Sequence, residues 1–224
     1  YERGSAMGLG REEAIAGLQA EYDAFGALVR SLNEQQWELP SRCAGWTVGD
    51  VARHVVGTAT DVANGVVGTH TPEEEVAERK GRTPTEIADE LDTALVTLRN
   101  LAAVINDDVW NGPAPVPDLT MRQGILTLIY DLYVHNDDIR TALGMTPAGS
   151  GLGLDASVEY LAEQLDERGW GPATLALDGV EKVDIGGGGD PIMGAPLPFV
   201  LAATGRVDPT ALGLDKTVNI YADA

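Results

Sequence analysis

Two residues on one predicted helix, Asp131 and His135, carry side chains that could bind a metal ion. They are four positions apart in the apolar run Ile125–His135, so both project from the same face of the helix. The run is apolar on nearly every side, which predicts a buried helix. A buried carboxylate costs free energy unless it is paired or coordinates a metal. His54, the other histidine within an apolar helical pattern, is the best candidate to complete a divalent cation site.

Two imidazoles and one carboxylate form a three-ligand set that leaves coordination positions open for water or substrate. This arrangement is typical of catalytic zinc and of open iron sites. An aspartate and a histidine at this spacing can also hydrogen-bond each other on a solvated surface. The spacing alone leaves both interpretations open.

The elements that must position these residues are four amphipathic segments with apolar residues three and four positions apart. They run from Arg11 to about Asn33, from Thr47 to about Val66, from Thr83 to about Leu101, and from about Thr120 to Leu143. The third begins with a capping box and a proline at its first helical position, a strong start signal. Four long helices predict a bundle. No internal repeat is apparent.

The pattern changes after residues 147–151, a stretch of Gly, Pro and Ser that predicts a domain boundary. A helix, two short strands, a second helix and a final strand are predicted to follow, at 155–168, 174–177, 183–185, 198–203 and 217–221. The glycine-rich segment 186–191 is expected to be a flexible loop. The predicted fold class is α+β, with a four-helix bundle at 11–147 and a small C-terminal α/β-sheet domain at 152–224.

The composition excludes several classes of partner. Fifteen Lys and Arg against 35 Asp and Glu give a formal net charge of -20, which repels nucleic acid and anionic membrane surfaces. The sequence has no apolar run near the roughly 18 residues of a membrane span. Its single cysteine, Cys43, rules out an internal disulfide and is expected to be a small buried thiol. Residues 1–10 look partly vector-derived, and a cytoplasmic monomer or homodimer is expected.

Three segments resemble the signatures of the mycothiol-dependent maleylpyruvate isomerase family. Ser41–Val55 is similar to the first signature, a small-residue turn followed by Gly-Trp-Thr, an acidic residue and a histidine. Asp131–Asp138 is similar to the second, and Gly205–Arg206 after an apolar helix to the third. The three occur in the correct order over most of the chain. The resemblance implies a DinB-like four-helix bundle as the N-terminal domain.

The resemblance also implies the roles of individual residues. His54, Asp131 and His135 would bind zinc or another divalent ion, although the family usually has Glu at the position of Asp131. The side chain here is one methylene shorter, so a lower metal affinity is expected. Asp138 would orient a ligand, and Arg206 would anchor a carboxylate or enolate oxygen of the substrate. Tyr130 and Tyr133 flank the ligands and are expected to line the cofactor pocket.

The implied function is that of a metal-dependent enzyme, an isomerase or S-transferase that uses mycothiol and a small organic substrate. The charge of -20 opposes a dianionic substrate and favours a larger, less charged one. Two alternatives remain open at this point. One is a cyclase or isomerase of actinobacterial natural-product (polyketide) biosynthesis that needs no thiol, and the other is a non-enzymatic binding protein. The pocket is expected between the ligand-bearing helices and the segment around Arg206.

Overall fold

The computed structural model describes residues 8–148 and 151–222 of the chain. It is mainly helical with one small sheet, and the predicted α+β class is confirmed. Residues 1–7 and the middle of the predicted linker, 149–150, lie outside the described part. The helices up to residue 148 are α1 (Arg11–Ser31), α2 (Glu34–Trp37), α3 (Val48–Asn64), α4 (Pro72–Glu78), α5 (Pro84–Ala102), α6 (Asp107–Asn111) and α7 (Met121–Ala142).

The four long helices α1, α3, α5 and α7 bury their apolar stripes in one shared core, which confirms the predicted bundle. Its central side chains include Phe25 from α1, Val51 and Val55 from α3, Leu91 from α5 and Leu132 from α7. The capping boxes predicted at Thr47 and Thr83 are both present. The short helices α2, α4 and α6 were not predicted, because four to seven residues are too few for an apolar stripe to repeat over several turns.

One local structure occurs twice in the bundle, which corrects the expectation of no repeat. In each copy, a short helix with a buried tryptophan leads into a six-residue loop and then into a long helix capped by threonine. The corresponding residues are 73 positions apart: Asn33 and Asn106, Trp37 and Trp110, Pro40 and Pro113, Thr47 and Thr120. Each proline forms an isolated bridge with the threonine of its own copy.

The backbone of the two loops is also the same. Ser41 N–H donates to Trp46 O at 2.9 Å, and Ala114 N–H, 73 positions later, donates to Leu119 O at 2.8 Å. Gly45 has a φ of 82°, and its counterpart Asp118 has a φ of 66°. This repeat is hard to see in the sequence, because loops 41–46 and 114–119 have no identical residue at equivalent positions. Only the caps, the tryptophans and the prolines recur.

The second part of the described chain contains α8 (Leu152–Glu167), β1 (Ala173–Leu177), β2 (Val183–Ile185), β3 (Pro191–Gly194), α9 (Pro196–Ala203) and two 3₁₀ helices, Pro209–Leu212 and Lys216–Val218. The strand order is β2-β1-β3, with β1 antiparallel to β2 and parallel to β3. The strand predicted at 217–221 is wrong. The Asp215 side chain accepts from the backbone and hydroxyl of Thr217 and holds a tight turn there. The third strand is β3, which begins inside the segment expected to be a loop.

The described chain forms two compact units. One is Ile15–Gly149, and the other consists of the remaining residues on either side of it. The predicted domain limits, 11–147 and 152–224, stay a prediction about independent folding units. Within the described residues, no helix combines the length and the apolar character needed to cross a membrane.

Candidate metal centre

Three predicted ligands meet in the bundle, where α3 lies against α7. One oxygen of Asp131 is 3.6 Å from Nε2 of His54, and the other is 3.4 Å from Nε2 of His135. The two imidazole rings are 5.1 Å apart between centroids and nearly perpendicular. One ligand atom from each of the three residues lies within 4.8 Å of the other two. The three residues that the sequence pattern singled out therefore lie together in the structure.

These separations suit a metal ion. With ligand bonds of about 2.0–2.2 Å, neighbouring ligand atoms of a tetrahedral zinc site lie roughly 3.3–3.6 Å apart. The two nitrogen–oxygen distances at Asp131 are close to that value, so the shorter carboxylate still reaches both histidines. Asp131 keeps 27% of its side-chain surface exposed. The open side leaves room for water or a further ligand.

The outward nitrogen of His54 is held by a residue that the sequence reading missed. Nδ1 of His54 lies 2.5 Å from Oε2 of Glu75, a buried residue of α4. Thr58, one helical turn after His54, donates its hydroxyl to the same carboxylate at 3.2 Å. The capping box of Thr71 and Glu74 was the sequence signal for α4. Metal-binding histidines usually give their second nitrogen to a carboxylate in this way.

His135 has the same arrangement on its own helix. Its Nδ1 lies 3.1 Å from Oδ2 of Asp138, the residue expected to orient it. Both histidines thus turn Nδ1 to an outer carboxylate and Nε2 to Asp131. This shared orientation is typical of a site with two imidazole ligands and one carboxylate ligand.

The charges of the cluster stabilise one another. Burial favours the neutral ring of His54, but the carboxylates of Asp131 and Glu75 outweigh it and raise the pKa of His54 to about 9. Burial also disfavours the charged ring of His135, yet Asp131 and Asp138 raise its pKa well above the usual range. For Asp131, burial would raise the pKa, and the two histidines instead hold that pKa well below its ordinary value. A divalent cation would displace the Nε2 protons of the two rings, while the Nδ1 protons stay with Glu75 and Asp138.

Loop 41–46 forms one wall of the site. Trp46 tilts over the ring of His54, with 5.4 Å between centroids. Sγ of Cys43 lies 3.8 Å from Nδ1 of His135 and donates to Asp138 at 3.2 Å. Cys43 was expected to be buried but is only partly buried, and it has a histidine neighbour in space that the sequence order did not reveal.

The remaining predicted residues, Tyr130, Tyr133 and Arg206, are not members of this cluster. Tyr130 and Tyr133 are almost fully buried, and the hydroxyl of Tyr133 donates to the backbone of Ala148 at 3.1 Å. This leaves the two rings little surface for a cofactor, and their role stays a prediction. Arg206 follows α9 in the other unit and lines a hollow of about 410 Å³ together with Lys216. Its role as a substrate anchor also stays a prediction.

Comparisons with known proteins identify the family and the fold of the chain. Residues 18–140 match the family model of the mycothiol maleylpyruvate isomerase N-terminal domain, a segment that includes all three clustered ligands. The crystal structure of the mycothiol-dependent maleylpyruvate isomerase is similar, with a TM-score of 0.64 and 17% identity over 89% of this chain and 90% of that one. The crystal structure of a histidine-to-alanine mutant gives a TM-score of 0.62 at the same identity and coverage. At this identity the structures indicate a shared fold. No curated protein sequence matched the chain.

Proposed function

The chain belongs to the mycothiol maleylpyruvate isomerase family, and we propose that it is a metal-dependent isomerase that uses mycothiol as its thiol cofactor. The prediction that it belongs to an enzyme family is confirmed. The main support for metal dependence is the orientation of both histidines, each with Nδ1 on a carboxylate and Nε2 toward Asp131. The metal, the thiol and the substrate are the proposed part.

In this proposal His54, Asp131 and His135 hold a divalent cation, with zinc the best match to two imidazoles and one carboxylate. When bound, the cation supplies a positive charge that keeps a thiol in its thiolate form and polarises a carbonyl oxygen. Glu75 and Asp138 keep the rings aligned. Trp46 and Cys43 on loop 41–46 restrict the access of water on their side.

A bound cation would make the site less repulsive to an anionic cofactor or substrate. Two neutral imidazoles, the carboxylates of Asp131, Glu75 and Asp138 and a divalent cation sum to a local charge of about -1, against about -3 without the cation. The cation therefore reduces the local part of the repulsion from a chain with a net charge of -20. Arg206 is proposed to hold a carboxylate or enolate oxygen of the substrate. We further infer a cytoplasmic setting and a monomer or homodimer.

The test is elemental analysis of the purified protein, combined with isomerisation of maleylpyruvate in the presence of mycothiol before and after chelation. One bound metal per chain and loss of turnover on chelation are expected. His54→Ala and His135→Ala should each abolish metal binding and leave a folded bundle, since the ligands come from helices packed by separate apolar stripes. Stoichiometric metal in both variants would show that the ligand assignment is wrong.

A further inference from the structure

Arg42, in loop 41–46, connects two buried carboxylates that follow each other on α7. Its Nη2 donates to Asp137 at 2.6 Å and lies 2.9 Å from Oδ1 of Asp138, to which its Nε donates at 3.0 Å. The side chains of Asp137 and Asp138 are 1% and 0% exposed. Two adjacent buried carboxylates need a cation, and a guanidinium with several donors in one plane can bond to both.

The contact continues from Arg42 to the histidine. Arg42 holds Oδ1 of Asp138, while Oδ2 of the same carboxylate lies 3.1 Å from Nδ1 of His135. Fixing one oxygen fixes the plane of the carboxylate, and this sets the direction from which the ring is held. The opposite nitrogen of His135 then faces Asp131 at 3.4 Å.

A comparison of the two repeated loops shows whether Arg42 is needed for the loop to fold. Loop 114–119 has the same backbone hydrogen bond as loop 41–46, yet Pro115 stands at the position equivalent to Arg42. The positions equivalent to Asp137 and Asp138 are Asn64 and Gly65, which carry no charge. An arginine is therefore not needed to form the loop. It occurs in the loop that contacts the two carboxylates of α7, one of which contacts a histidine.

We propose that Arg42 is a positioning residue of the metal centre, which holds Asp138 and through it aligns the ring of His135 with His54 and Asp131. This rests on the proposed function, in which those three residues bind the metal. The geometric part, from Arg42 to the ring of His135, stands without a metal and can be tested separately.

The experiment uses the full chain with Arg42→Met, which keeps the apolar stem and removes the guanidinium. In metal-free protein labelled with ¹⁵N-histidine, the Nδ1–H resonance of His135 should shift or broaden, whereas that of His54, held by Glu75, should stay in place. Zn²⁺ affinity, measured against a competing chelator, should fall roughly 10- to 100-fold. Arg99→Met is the matched control, because it removes an exposed ion pair with Asp23 in the same unit.

A second variant guards against loss of folding. Arg42→Met leaves two buried carboxylates without their cation, so Arg42→Met combined with Asp137→Asn removes one of those charges and keeps the contact between Asp138 and His135. This double variant should fold and show the same selective change at His135. Arg42→Lys should recover only part of the Zn²⁺ affinity. The ammonium restores the positive charge but cannot reproduce the planar contact of the guanidinium.

The outcomes distinguish the proposal from the function on which it rests. A folded single or double variant with an unchanged His135 resonance and unchanged Zn²⁺ affinity overturns the positioning role. An equal change at His54 and His135 would also overturn it, since that indicates a general loss of structure. If the wild-type protein binds no Zn²⁺ but the His135 resonance responds selectively, the positioning role is supported and the metal assignment is wrong.

Discussion

Glu75 and His54 form the shortest polar contact of the candidate metal centre, 2.5 Å between Oε2 and Nδ1, although they lie on different helices and 21 positions apart. Because Glu75 is buried and Thr58 donates to it, its carboxylate has little freedom to turn away. The direction of the His54 ring therefore depends on the short helix α4, which lies outside the four long helices of the bundle.

Replacement of Glu75 should weaken metal binding and leave the fold intact. Glu75→Gln keeps the size of the side chain but loses the charge opposite Nδ1, so Zn²⁺ affinity should fall roughly 10- to 100-fold. Chelator competition measures the change. The matched control is Glu74→Gln, one position away, where the exposed side chain only caps α4. Equal affinities for the two variants would contradict an orienting role for Glu75.

Gly57 is expected to set the distance between α3 and α4. A Cβ added there would lie 2.6 Å from Cβ of Glu75, so Gly57→Ala must displace α4. We expect a loss of about 1–3 kcal/mol in the free energy of unfolding, together with weaker Zn²⁺ binding.

The control for this prediction is Gly124→Ala in α7. The added Cβ there would make an ordinary 3.6 Å contact with Ala114. Removal of a helical glycine should then stabilise the protein by roughly 0.5–1 kcal/mol. Urea unfolding measures both changes, and a neutral Gly57→Ala would mean that α4 can move without loss.

Asp131→Glu should lower metal affinity. The sequence comparison favoured the opposite outcome, because the family usually has Glu here. The distances of 3.4 and 3.6 Å to the two histidines indicate that the backbone already places the shorter side chain correctly. An extra methylene would push the oxygens past that point. Tighter Zn²⁺ binding by the Glu variant in a competition titration would show that the shorter aspartate does limit the metal affinity.

Without metal, His54 should make the protein less stable as the pH rises. Its pKa is about 9 in the folded chain and 6.5 in the reference state. The stability from its charged form is therefore fully present below about pH 6.5 and is lost as the pH rises through about 9. Urea unfolding with chelator at about pH 6, 7.5 and 9 should show this decline, and His54→Gln should flatten it. An identical slope in the variant would refute the assignment.

Arg206→Met should reduce turnover far more than it lowers the melting temperature. Arg206 is partly exposed and lines a hollow beside Lys216, and methionine keeps the apolar stem of its side chain in place. The comparison is steady-state kinetics against thermal unfolding, on a substrate with and without its carboxylate. Full turnover by the variant would restrict the function to the bundle.

The cluster of His54, Asp131 and His135 could be predicted from the sequence because the pattern around each residue is local. Asp131 and His135 lie one turn apart on one helix, and the apolar pattern around His54 placed that residue in the same core. Glu75 could not be assigned in this way. Its contact with His54 depends on the angle at which α4 leaves the loop, which is set by close packing at Gly57 and has no periodic pattern.

The C-terminal unit shows a second limit. The run Thr217–Tyr221 has the composition of a strand, but the side chain of Asp215 accepts a hydrogen bond from the backbone N–H of Thr217 and stabilises a turn. Pro191–Gly194 has a weaker strand pattern and still pairs with β1. A local side-chain contact decided the first segment and pairing with β1 decided the second, and single-sequence strand propensity contains neither.

The repeated loop has an evolutionary consequence. If the two copies descend from one duplicated half-bundle, the ancestral dimer of halves would have offered two equivalent places for chemistry. The counterparts of His54, Asp131 and His135 are Thr127, Thr58 and Val62, none of them a good metal ligand. One of these two places then kept the reactive groups, which come from both copies, while the other was free to specialise. Thr127 and Val62 therefore mark where a second centre could be engineered into the same scaffold.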